Sequence, residues 1–334
     1  MELSLIICTF QRPVPLSNLL ESIKSQTKYP DEILIIDGSF DDKTKELFLE
    51  TNYKNLKYYQ VEKKDRGLTR QRNFGISKVS GNSEIVSFLD DDTVLHPDYF
   101  FEIVNCFKIH ADALAVSGYI TNEVTWRKVD WDYILQKGEF IYDGWVRTEG
   151  SRFGLRRKFG LAPDVPPGIM PGFSHGYSSG FLPPSGKIYE VELLMGGISS
   201  YKREIFDKVS FSKYFEGYGL YEDADFSLRI SKMGKLLVNT NALVEHHHAG
   251  EGRPNMFKYG EMVVRNGWYV WRVKNADPNF KDKFKWHSTS LLLTLVRFSN
   301  VLNKHESRIA LSEATGRFVG WWKLLVNKPK INSN

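Results

Sequence analysis

Four short apolar runs, LSLIICTF from Leu3, DEILIID from Asp31, LKYYQVE from Leu56 and EIVSFLD from Glu84, are separated by segments of helical periodicity. LSNLLESIKSQT puts Leu16, Leu19, Leu20 and Ile23 on one helical face, and DDKTKELFLETN and LTRQRNFGISKVS continue the alternation. Strand and helix in turn predict βαβ units around a mainly parallel sheet. In such sheets ligands bind beyond the carboxyl ends of the strands. Acidic residues fall there twice: Asp37 after ILII, and Asp90, Asp91 and Asp92 after IVSFL.

Composition narrows the function classes. Among 334 residues, 42% are hydrophobic and 25% charged, which describes a globular chain. The net charge of +5 comes without a long Lys/Arg block, so nucleic acid is not an expected partner. Cys8 and Cys106 lie far apart without metal-ligand spacing, as in a reduced, cytoplasmic protein. The start MELSLIICTFQRP lacks the basic region and cleavage site of a signal peptide and reads as a first strand. Leu291 to Val296, the most apolar late stretch, falls far short of the roughly 20 residues that span a bilayer.

From about Val124 to Ser185 the periodicity fades into Gly, Pro and aromatic sequence, which reads as a long functional loop or insertion. Regular signals return in YEVELLMGGISSYKREIF, YEDADFSLRISKMG and KLLVNTNALVEHHH, and the chain after Arg253 reads as helices. The expected division is a catalytic part over 1–252, with halves near 1–120 and 121–252, and a helical extension over 253–334.

Four side-chain clusters are candidates for chemistry. Three adjacent aspartates repel one another, so Asp90 to Asp92 suit a divalent metal shared with phosphates, or else a solvated turn capping the next helix. Glu222, Asp223 and Asp225 begin an amphipathic helix, where the macrodipole favours them, and a carboxylate so placed also suits a general base. His246 and His248 share one side if the strand continues, as metal ligands or as ordinary structural histidines. Arg66, Arg70, Arg72, Arg253 and Arg265 suit phosphate clamping or plain surface roles.

Taken in order, SLIICTFQRP, PDEILIIDGSFDDKT, RGLTRQRNFGI, SFLDDDTVLHPDYF, MGGISSYKREIF and YEDADFSLRI resemble the motifs of the family 2 glycosyltransferases. These are nucleotide-sugar enzymes of the GT-A fold, a Rossmann-like mixed α/β sheet with flanking helices. The resemblance runs from Leu3 to His248. It implies that Thr9, Arg12 and Asp37 contact the nucleotide, with Arg66 and Arg70 in the basic segment beside it. Asp90 and Asp91 would face the ribose or diphosphate, and Asp92 would bind Mg²⁺ or Mn²⁺ with His246 or His248 completing the shell. Asp223 would be the base, Glu222 its support, and Gly196 and Gly197 the acceptor loop.

Two departures qualify the pattern. The turn Ile36-Asp37-Gly38-Ser39 has a single acidic residue, and RNGWYVW stands where processive members carry QxxRW. The expected activity is therefore inverting, non-processive transfer of one sugar from a nucleotide-diphosphate sugar to a glycan or lipid-linked acceptor. The alternatives are an inactive nucleotide-sugar or glycan-binding module and a nucleotidyltransferase. The latter is disfavoured because CTFQRPVPLS has no glycine. FKDKFKWHSTSLLLTLVRFSNVLNK and GRFVGWWKLLVNKPK mix basic with aromatic and aliphatic residues, as in helices lying on a cytosolic membrane face. Packing on the catalytic part, or on a second subunit in a homodimer, is the other explanation of that composition.

Overall fold

The computed structural model describes residues 1–50, 53–248, 255–303 and 307–331. Arg253 and the expected boundary at 252/253 lie outside the described residues. The chain forms two compact units, Met1–Val124 with Leu182–Gly252, and Thr125–Phe181 with Arg253–Asn334. Residues 125–181, placed by sequence in the acceptor half of 1–252, are grouped by their contacts with the second unit.

The first unit is an α/β sandwich. Its strands are β1 (Leu3–Thr9), β2 (Glu32–Asp37), β3 (Leu56–Gln60), β4 (Ile85–Asp90), β5 (Thr93–Leu95) and β6 (Ala113–Ile120). Helices α1 (Pro13–Lys24), α2 (Lys43–Glu50), α3 (Leu68–Ile76) and α4 (Tyr99–Ile109) alternate with them. The strands β3, β2, β1 and β4 pair in parallel, as the alternation predicts. Every residue of β2 is buried, and Leu16, Leu19, Leu20 and Ile23 bury the inner face of α1. Removing such side chains from water on both faces of one sheet is the main force closing the unit.

The second unit contributes its own strands β7 (Arg127–Lys128), β8 (Glu139–Tyr142) and β9 (Trp145–Thr148), in the order β7-β9-β8. Helix α5 (Ser151–Lys158) follows, and Phe153, Tyr177 and Phe181 form a small core with Phe140 packed on it. Of the two readings of 124–185, loop or insertion, the ordered strands and helix exclude the structureless loop. The signal was present in Tyr142-Asp143-Gly144-Trp145, since Asp143 (φ 49°) and Gly144 (φ 76°) make the left-handed two-residue turn that Asp-Gly favours in hairpins.

The sheet of the first unit is completed by β10 (Ile188–Val191), β11 (Ile198–Lys202), helix α6 (Glu222–Ile230) and β12 (Lys235–His246). Strand β11 runs antiparallel between β4 and β6, while β12 is parallel to β6 and antiparallel to β10 and β5. The sheet is therefore mixed.

Three helices end the second unit: α7 (Met256–Lys274), α8 (Phe280–Ser299) and α9 (Ser307–Val326). Helices α7 and α9 run parallel and touch backbone to backbone, Gly316 against Phe257 and Gly320 against Glu261. No described helix is long and apolar enough to cross a membrane.

Candidate active site

Strand register brings the acidic and histidine clusters together. Residues Thr93, Val94 and Leu95 pair with His246, Glu245 and Val244, so the end of β12 lies against the turn that carries the aspartates. His246 Nε2 lies 3.2 Å from Asp92 Oδ1, and its Nδ1 lies 2.9 Å from Glu123 Oε1. His248 Nε2 reaches the same Glu123 oxygen at 3.0 Å. Burial disfavours the charged His246 ring, yet its hydrogen bonds to Asp92 and Glu123 outweigh this and lift it to about 10.

Asp90, Asp92 and His246 can each direct one ligand atom so that all lie within 4.8 Å of one another, and Glu123, His246 and His248 form a second such group. Carboxylate oxygens with imidazole nitrogen and no thiolate suit Mn²⁺ or Mg²⁺. The donor set thus fits the metal implied by the resemblance. Both histidines are within this region, and Glu123, which sequence reasoning missed, joins them. No local pattern marks Glu123, because it becomes a partner only through the pairing of β12 with β6.

The three aspartates have different surroundings. Asp91 is 4% exposed, accepting from Thr9 Oγ1 at 2.7 Å and from Arg12 Nη1 at 3.0 Å. Burial pushes its carboxyl up to about 6 against these two partners. Arg12 Nη1 also lies 3.4 Å from Asp92 Oδ2. Asp90, by contrast, keeps a side chain 42% exposed at the end of β4.

The base candidates sit beside Asp90. Arg72 lies under Phe88 and Phe211 and is ion-paired with Glu222, donates from Nη2 to the Gly196 carbonyl at 3.0 Å, and lies 3.7 Å from Asp90 Oδ1. Burial pushes the Glu222 carboxyl up to about 8, with Arg72 acting in the opposite direction. Asp223 accepts from Gly196 N at 3.2 Å through Oδ2 and from Ala224 N at 2.8 Å through Oδ1. Two backbone donors therefore orient it without covering the whole carboxylate. The Gly197 carbonyl accepts from Asp90 N at 2.9 Å, which ties the glycine loop to the same strand end.

Asp37, which the resemblance assigns to base or ribose contact, lies at the end of β2. It is 0% exposed, with Oδ1 accepting from Ser39 N at 2.8 Å and Oδ2 from Tyr58 Oη at 2.7 Å. A carboxylate with both oxygens so engaged shapes the turn after β2. Arg66 stacks on Phe40, 4.4 Å from the ring centroid, while Arg70 pairs with Glu216 and donates to the Lys64 carbonyl at 2.5 Å. Arg66 and Arg70 are thus engaged with Ser39, Phe40, Lys64 and Glu216, whereas Arg72, grouped by sequence only with scattered arginines, joins Asp90 to Glu222.

A sequence profile described as glycosyl transferase family 2 matches residues 4–173, more than half of the chain. The chain belongs to glycosyl transferase family 2. This family 2 chain has the mixed sheet and flanking helices of the GT-A type in its first unit. It is 34% identical over 171 residues to the GalNAc(5)-diNAcBac-PP-undecaprenol beta-1,3-glucosyltransferase of Campylobacter jejuni, covering 47% of this chain and 52% of that protein. It is 32% identical over 95 residues to the O-antigen chain rhamnosyltransferase RfbN of Salmonella typhimurium, covering 28% and 29% respectively. The aligned stretches thus span about half or less of those relatives' length. The crystal structure of S. aureus TarS 1-349 superposes with a TM-score of 0.47 at 12% identity, covering 98% of this family 2 chain and 92% of that one. Gly196, Glu222, Asp223 and His246 lie beyond the residues matched by the profile, so their roles rest on the geometry.

Proposed function

We propose that this glycosyltransferase moves one sugar from a nucleotide-diphosphate sugar to a hydroxyl of a glycan or lipid-linked acceptor, with inversion at the anomeric carbon. The observation that carries this reading is the convergence on Asp90: it belongs to the metal-capable group with Asp92 and His246, and it neighbours the Arg72–Glu222 pair beside Asp223. Metal, leaving group and base are required at one place by such a transfer.

Asp90, Asp92 and His246 would hold Mg²⁺ or Mn²⁺, which when bound supplies charge neutralisation for the departing diphosphate. Asp223 takes the proton from the acceptor hydroxyl, which attacks the anomeric carbon from the face opposite the leaving group. Arg72 and Glu222 hold the Gly196 loop and the start of α6 in register. Gly196 and Gly197 shape the acceptor side, and Thr9 and Arg12 hold Asp91 beneath the donor.

A lipid-linked acceptor accords with the relative that acts on a PP-undecaprenol substrate and with the exposed face of α9. Leu311, Phe318, Trp322 and Leu325 are exposed at helical spacing along that helix. Peripheral contact with a cytosolic membrane face through this stripe is part of the proposal. Flotation with anionic liposomes should retain the full chain and lose Phe318→Ser/Trp322→Ser; equal flotation of both removes the membrane contact.

A panel of nucleotide-sugars, assayed for hydrolysis and transfer with Mn²⁺ and with EDTA, tests the function. The expected result is turnover of one donor class only with metal. Donor binding without turnover across the panel would favour the inactive binding module.

A further inference from the structure

Two imidazoles meet at one carboxylate oxygen: His246 Nδ1 lies 2.9 Å and His248 Nε2 3.0 Å from Glu123 Oε1. The three ligand atoms lie within 4.8 Å of one another, and the two ring centroids are 4.1 Å apart. Tetrahedral Zn²⁺, with bonds of about 2.0–2.1 Å, keeps its ligand atoms about 3.3 Å apart, so small side-chain movements make this triad three corners of such a site. Two rings this close repel when both are protonated, and a cation shared by them and the carboxylate removes that repulsion.

The backbone holds these ligands from two strands. Thr121 N donates to the Val244 carbonyl at 2.9 Å, beside the ends of β6 and β12. Asn122 Nδ2 donates to the His246 carbonyl at 3.0 Å, and Asn122 Oδ1 accepts from His246 N at 2.9 Å. His247 N donates to the Asp92 carbonyl at 2.8 Å. Glu123 and His248 thus each extend from backbone pinned at the adjacent residue. The His248 side chain is 58% exposed, which lets water reach a fourth position.

His246 belongs both to this triad and to the group with Asp90 and Asp92, but through opposite nitrogens, since Nε2 is the one 3.2 Å from Asp92 Oδ1. A neutral imidazole has one lone pair while its other nitrogen carries the proton. A metal at Nε2 leaves Nδ1–H donating to Glu123, and a metal at Nδ1 leaves Nε2–H donating to Asp92. The ligand sets also differ: two carboxylates and one imidazole suit Mn²⁺ or Mg²⁺, whereas two imidazoles and one carboxylate suit Zn²⁺. We propose that Glu123, His246 Nδ1 and His248 form a second divalent-metal site, selective for Zn²⁺, whose occupation withdraws His246 from the Asp90–Asp92 group. The site does not depend on the glycosyl-transfer reading; only its consequence, that Zn²⁺ opposes Mn²⁺ in catalysis, rests on it.

Calorimetric titration of the metal-stripped full chain with Zn²⁺, and separately with Mn²⁺, tests the assignment. His248→Asn should weaken Zn²⁺ binding at least tenfold and change Mn²⁺ affinity less than threefold, and Asp90→Asn should do the reverse. Saturating Zn²⁺ should weaken Mn²⁺ binding to the wild type at least tenfold, and the same Zn²⁺ concentration should leave Mn²⁺ affinity in His248→Asn within threefold. Co²⁺ serves as the spectroscopic probe: the wild type should show the intense visible absorption of a four-coordinate ion, and His248→Asn should lose most of it. No Zn²⁺ binding by the wild type, or Zn²⁺ affinity that falls with Asp90→Asn and not with His248→Asn, overturns the proposal. Independent binding of Zn²⁺ and Mn²⁺ to the wild type overturns the sharing of His246. The Zn²⁺ comparison can be read whether or not Mn²⁺ binds or any sugar is transferred.

Discussion

Arg72 and Glu222, 150 positions apart in the chain, meet as a buried ion pair, and the same guanidinium donates to the Gly196 carbonyl at 3.0 Å. One side chain from α3 thereby fixes both the start of α6 and the loop before β11. Glu222 Oε2 has no hydrogen-bond partner, so Arg72 is what compensates the buried carboxylate. Removing one member of a buried pair costs about 3–5 kcal/mol. Arg72→Met should lower the unfolding free energy by about that amount in urea titrations above pH 8, where the Glu222 carboxyl is ionised, and Arg72→Met/Glu222→Gln should recover part of it. An Arg72→Met protein as stable as the wild type would contradict the assignment.

The same pair predicts a pH dependence. Burial raises Glu222 to about 8, above its ordinary value of 4.5, so the folded chain binds more protons than the unfolded chain between those values. Stability from this group is fully present below about 4.5 and is lost as pH rises through about 8. Glu222→Gln should flatten that decline in urea titrations at a series of pH values; an unchanged slope would show that another group causes it.

Glu123 holds His246 Nδ1 at 2.9 Å, on the side of the ring away from Asp92. Outer partners of metal-binding imidazoles typically contribute about 10- to 100-fold in metal affinity. Glu123→Gln should raise the Mn²⁺ concentration needed for half-maximal activity by about that factor, after EDTA treatment and readdition of metal. A metal requirement equal to the wild type would remove Glu123 from the site.

A Cβ at Gly197 would fall on the Asp90 carboxylate, and one at Gly196 would lie 2.8 Å from Asp223 Cβ. The Asp90 carboxylate would have to turn out of its place in the site, while Asp223 Cβ is fixed by the start of α6. Gly197→Ala should cost about 1–3 kcal/mol, the range of ordinary overpacking, and should lower kcat. Thermal unfolding and initial rates on the same preparation check both effects.

How much of this was legible in the sequence depended on the range of the interaction. The strands ending at Asp37 and Asp90 and the α6 segment with Glu222 and Asp223 could be read because apolar spacing and acidic placement are local. The hairpin β8–β9 was also local, and its Asp143-Gly144 turn was overlooked because the surrounding Gly and Pro content obscured it. Arg72 was legible only as one of five candidate arginines, and Glu123 was not legible as a site residue. Their partners lie far away in sequence, and only the order of β6, β11 and β12 in the sheet brings them close. Asp37 shows the converse: its position was legible, but Tyr58 and the Ser39 backbone occupy both oxygens.

The central claim is that Asp223 is the base for metal-dependent sugar transfer. The most direct measurement is kcat for transfer by Asp223→Asn against wild type at saturating Mn²⁺, with donor affinity determined by calorimetry on the same samples. The account predicts a loss of about 10²- to 10⁴-fold in kcat, the usual contribution of a general base, with donor affinity unchanged. Transfer by Asp223→Asn at near wild-type rate would contradict it.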